Sequence, residues 1–89
     1  MRSVVTLPSD WTISFTSTAL KALKRLAEED QRRLGSGIDG LMDGDVKKLS
    51  GRPNQFRLRV GAMRAVFTPN FKTHTIVILE IFSRGAGYR

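Results

Sequence analysis

The chain has 89 residues, no cysteine, one histidine and a formal net charge of +7. A length of this order makes a single domain over 1–89 with a modest core. The missing cysteines exclude a disulfide framework or a thiolate metal site, and the single histidine excludes a histidine-rich one. The charge is unevenly placed: residues 1–45 carry a net −1 and residues 46–89 a net +8, with Glu80 the only acid in the second half. Such a basic half suits an anionic partner, or else a solubilising surface.

The first ten residues read as a loose lead-in ending in a Pro8-Ser9-Asp10 turn. Val4, Val5 and Leu7 are too few for a signal-peptide core, and no apolar stretch approaches membrane-spanning length, so a cytoplasmic protein without membrane contact is expected. Trp11, Ile13 and Phe15 alternate with Thr12 and Ser14, the period of a half-buried strand. Thr16 or Ser17 can cap a helix, whose expected apolar stripe is Leu20, Leu23 and Ala27, widened by Leu26. Glu28-Glu29-Asp30 suits a polar corner or the first turn of a second helix, with Leu34, Ile38 and Leu41 at i, i+4, i+7. Gly35, Gly37 and Gly40 weaken that helix or allow it to pack closely on the first.

Asp43-Gly44-Asp45 ends the helical part, and Val46 to Leu49 is ambiguous. After the turn cluster Ser50-Gly51-Arg52-Pro53-Asn54, three strands are expected at about 55–60, 63–68 and 74–83. Gly61-Ala62 suits a type II′ hairpin turn. The nearly continuous apolar run from Thr75 to Phe82 reads as the central strand, buried on both faces. The expected fold class is α+β: an N-terminal strand, a helical hairpin, then a three-stranded antiparallel meander, with the helices on one face of a small sheet.

Arginines dominate the candidate site. Arg57 and Arg59 are two apart in an extended run, so both point to one face while Phe56, Leu58 and Val60 point to the other. Arg64 opens the next strand, and Arg84 and Tyr88 follow the last. One acid cannot neutralise four arginines, which leaves them to bind an anion, an acidic protein segment or both. Glu80 reads as a partner orienting an arginine or as a proton acceptor. His74 reads as a surface residue. Lys47, Lys48 and Arg52 are RNA-backbone contacts or plain solvated charges.

Three stretches carry a family resemblance: Val46-Lys47-Lys48-Leu49-Ser50-Gly51, then Phe56 through Phe67 (FRLRVGAMRAVF), then Ile81 through Tyr88 (IFSRGAGY). They resemble the K-L-x-G turn, the arginine-bearing hairpin and the closing R-x-x-x-Y of the RelE/ParE toxin superfamily. Met63 stands where that family usually has an aromatic residue. The resemblance implies the toxin of a type II toxin–antitoxin pair, with a cognate antitoxin as partner and operator DNA as a target of the complex. In its RelE branch it implies a metal- and cofactor-independent endoribonuclease that cuts mRNA in the ribosomal A site. It places Arg57, Arg59, Arg64, Arg84 and Tyr88 in the active site, and the best-known RelE members have lysines at the places of Arg57 and Arg59. The ParE branch implies instead a non-enzymatic DNA gyrase poison. A degenerate toxin that only binds its antitoxin is the third reading.

Overall fold

The computed structural model describes residues 11–41 and 44–83. Pro8-Ser9-Asp10, Asp43, Arg84 and Tyr88 lie outside them. The chain runs β1 (Thr12–Phe15), α1 (Ser17–Arg25), α2 (Glu28–Asp39), β2 (Asp45–Lys48), β3 (Phe56–Val60), β4 (Met63–Asn70) and β5 (Thr75–Phe82). The five strands form one sheet in the order β1-β5-β4-β3-β2. Its pairs are antiparallel except β1 with β5, which is parallel. Both helices cover one face, α1 over β5 and α2 over β3. The α+β reading therefore holds, with one strand more than the expected meander: Val46 to Leu49 begins as β2, an edge strand.

Local chemistry explains the elements. Thr16 is the cap of α1: its backbone is extended and its hydroxyl accepts from the Ala19 N–H at 3.1 Å. The same Oγ1 donates to the Leu79 carbonyl at 2.8 Å, tying the helix start to β5. The buried face of α1 is Ala19, Ala22, Leu23 and Leu26, at i, i+3, i+4 and i+7, rather than the expected stripe. Leu20 is 39% exposed and Ala27 caps α2, because the helix lies on the sheet through its small Ala19. In α2, Glu28, Glu29 and Asp30 occupy the first turn, where acids complement the helix dipole, and Leu34 and Ile38 are buried along with Leu41 beyond its end. Gly37 packs against β3 instead of the first helix: a Cβ there would lie 2.5 Å from Val60 Cγ2.

The β3–β4 hairpin has Gly61 at φ 60°, with a positive φ at the first turn position as a type II′ turn requires. The β2–β3 loop is pinned to β4 by Asn54, itself left-handed at φ 60°. Its Nδ2 donates to Thr68 Oγ1 and to the Pro69 carbonyl, both at 3.1 Å, and its own carbonyl accepts from the Thr68 hydroxyl at 2.7 Å.

Two expectations for the last strand are corrected. The central strand is β4, and β5 is half-buried on its outer side. The apolar run hides a β-bulge. Val66 pairs with Glu80 but Phe67 pairs with Ile78, so Leu79 has no place in the register. The extra residue flips the parity of the strand. Ile76 and Ile78 face the helices before it and Ile81 after it, while Glu80 and Phe82 turn to the open face. The core between sheet and helices is completed by Leu58, Met63, Ala65 and Phe67. Trp11 packs at its rim, stacked on His74 (centroids 5.2 Å apart) and edge-on to Phe71 (5.4 Å).

Candidate RNA-binding face

Strand register decides which basic residues meet. Arg57 lies opposite Lys47 on β2 and Val66 on β4, and Arg59 lies opposite Asp45 and Arg64. Cross-strand partners share a face. Phe56, Leu58 and Val60 pack toward the core, so these residues occupy the face that no helix covers. Lys47, Arg57, Arg59 and Arg64 are thus gathered on one surface. Lys48 is paired with Phe56 and so lies on the helix side of the edge strand, away from the arginines.

A shallow cavity of about 310 Å³ opens on this face. Its lining includes Arg57, Arg64, Val66, Glu80 and Phe82 from the three inner strands and Arg52 from the β2–β3 loop. Two of the expected active-site arginines and one expected RNA contact therefore converge. Arg59 stands beside the cavity, 51% exposed. Arg84 and Tyr88 fall outside the described residues.

Arg57 is the unusual member. Its side chain is only 12% exposed, and its Nη1 is buried without a hydrogen-bond partner among the described residues. A buried guanidinium N–H left unpaired costs roughly 1–3 kcal/mol, which a ligand oxygen can recover. The ion pairs of this arginine pair come from Asp45 rather than from Glu80. Asp45 Oδ1 is 3.8 Å from Arg57 Nη2, and Oδ2 is 4.0 Å from Arg59 Nε. Both separations exceed hydrogen-bonding distance, so the carboxylate offsets charge without filling the donors. Sequence reasoning passed over Asp45, which it placed in a helix-ending turn. Its parity with Lys47 was visible, but its role depends on the register of β2 against β3.

Glu80 reaches the cavity only because of the bulge at Leu79. His74 is exposed in the β4–β5 turn, at φ 53°, at the end of the β4–β5 pair opposite Arg64 and Phe82. Among the described residues no group of three His, Asp or Glu side chains is placed to hold a metal ion.

No family model matches the chain, and no curated protein does. Solved structures do. A chain of the archaeal RelE–RelB complex from Pyrococcus horikoshii OT3 is 28% identical, with 85% of this chain and 97% of that one covered and a TM-score of 0.70. The toxin–antitoxin complex RelBE2 from Mycobacterium tuberculosis gives 25% identity over 84% of this chain and 92% of that one, with a TM-score of 0.71. The isolated RelE toxin of E. coli matches in fold, with a TM-score of 0.72 over 88% of each chain, at 14% identity. Two helices packed on a five-stranded mixed sheet thus give this chain the RelE-like toxin fold.

Proposed function

We propose that this chain is the toxin of a type II toxin–antitoxin pair, and that it cleaves mRNA in the ribosomal A site. The observation that carries the reading is the convergence of Arg52, Arg57 and Arg64 around an open cavity, with one buried Arg57 N–H left for a ligand. The similarity to chains of RelE–RelB complexes supports a cognate antitoxin as partner. In the cell the toxin acts in the cytoplasm, and its complex with the antitoxin binds operator DNA.

The reaction needs no metal. The 2′-OH of one nucleotide loses its proton and attacks the adjacent phosphorus, the bond to the 5′-oxygen breaks as a cyclic 2′,3′-phosphate forms, and the 5′-oxygen leaves having gained a proton. Arginine suits the phosphorane, because its planar fork matches two phosphate oxygens and keeps its charge. Arg57 and Arg64 take that role at the cavity, joined by Arg84 near the leaving group. Arg59 holds the flanking backbone, helped by Lys47 and Arg52. Tyr88 stacks on or orients a base. Arginine does not surrender its proton near neutral pH, so neither Arg57 nor Arg59 replaces a lysine as general base.

Primer extension on mRNA in purified, programmed ribosomes tests the reading, with a gyrase supercoiling assay beside it. New stops inside the A-site codon, lost in Arg84→Ala and in Tyr88→Phe, are the expected result. Cleavage by either variant at the parent rate would remove that residue from the site. Gyrase inhibition without cleavage would move the chain to the ParE reading. Silence in both assays would leave antitoxin binding as its remaining activity.

A further inference from the structure

Asp45 is an exposed carboxylate on an edge strand, held between two arginines at distances that satisfy neither. It sits directly opposite Arg59 in the β2–β3 register and diagonally from Arg57. Its side chain is 57% exposed, whereas Arg57 beside it is nearly buried. No other acid pairs with these arginines among the described ion pairs. The geometry is that of an anion stand-in. A carboxylate near two guanidiniums balances their repulsion in the free protein. At 3.8 and 4.0 Å it leaves the N–H groups available to a ligand that can come closer.

We infer that Asp45 is a resident competitor that an RNA phosphate displaces: it occupies the approach to Arg57 and Arg59 in the free protein until a phosphate oxygen takes over their donors. The inference rests on the proposed RNA-binding function of this face. A phosphate has the advantage over the carboxylate on two counts. It can reach the bidentate distances that Asp45 does not, and it can supply the missing partner of Arg57 Nη1. Displacing Asp45 gives up its exposed pair with Arg59, which contributes little to the fold, and the phosphate replaces its charge beside the nearly buried Arg57. The exchange also discriminates. A ligand with a single weak acceptor cannot compete with the resident carboxylate, whereas a phosphodiester backbone with successive anions can.

The test is equilibrium binding of a fluorescein-labelled single-stranded RNA decamer to the purified full chain, by anisotropy over a range of salt. Asp45→Asn is compared with Asp39→Asn, which removes an equal charge from the exposed face of α2. Asp45→Asn is expected to bind roughly fivefold more tightly at low salt, and its salt slope to steepen by about one. Asp39→Asn is expected to change affinity by less than about twofold, as remote exposed charges are screened. Arg57→Ala in the Asp45→Asn background should abolish the gain. An equal effect of the two asparagine variants would overturn the inference, since only net charge would then matter. Weaker binding by a folded Asp45→Asn protein would also overturn it, by making the carboxylate a support that binding requires. Absence of binding by parent and variant alike would overturn the exchange, while the ribosome assay would still decide the cleavage reading independently.

Discussion

Two glycines in the same helix should respond to the same substitution with opposite signs. In an exposed helix interior, replacing glycine by alanine stabilises by roughly 1 kcal/mol, through lower chain entropy in the unfolded state. Gly35 has nothing within 4 Å of where a Cβ would stand, so Gly35→Ala should deliver that gain. Gly37 faces β3, where the new Cβ would lie 2.5 Å from Val60 Cγ2. Carbon atoms in contact prefer separations of about 3.5–4.0 Å, so the overlap is about 1 Å. Valine is β-branched and cannot easily swing away, and α2 must lift from the sheet. Overpacking of this kind costs roughly 1–3 kcal/mol, which meets or outweighs the helix gain. The two variants should therefore differ by about 1–3 kcal/mol, or roughly 4–8 °C per kcal/mol in a domain of this size. Urea unfolding followed by circular dichroism and by the fluorescence of Trp11 would measure it. In a Val60→Ala background the clash is removed, and Gly37→Ala should become stabilising. Equal gains at Gly35 and Gly37 in the parent would refute the close approach of α2 to β3.

Thr16→Ala should cost about 1–2 kcal/mol, since it removes the helix cap and the hydroxyl that serves the Leu79 carbonyl, while Ser17→Ala should stay within about 0.5 kcal/mol. Chemical denaturation of the pair measures which residue is the cap. Leu58→Ala, at a site 1% exposed, should cost about 2–5 kcal/mol out of a total of about 5–13 kcal/mol for a chain of this length, visible as a lowered urea midpoint.

Most of what could be read from sequence depends on near neighbours, although the face of α1 escaped because Ala19 rather than Leu20 meets the sheet. The stripe of Leu34, Ile38 and Leu41, a cap at Thr16 or Ser17 and the Gly61-Ala62 turn all express interactions within a few residues. The alternation around Arg57 and Arg59 gave their shared face correctly, because the strand there is regular. What escaped was set by pairing. Strand β2 has a single apolar residue, Val46, so only its ladder with β3 makes it a strand. The bulge was hidden because the residues before Glu80 are apolar on both parities, and nothing in such a run marks where the face changes. Asp45 acquired a role only when β2 came to lie beside β3.

The parallel pairing of β1 with β5 sets a kinetic hierarchy. Thr12 and Thr75 are 63 positions apart, so this seam closes the longest loop in the sheet. Hairpins such as β3–β4 close first, and the seam must wait for nearly all the intervening chain to be in place. Until then α1 has no β5 to cover, and its apolar side remains in water. The same seam is short, four residues at the sheet's edge, so it should open first under native conditions. Amide exchange along Thr12–Phe15 should accordingly outrun that of β4, and a partner that gripped this edge would set the lifetime of the folded state.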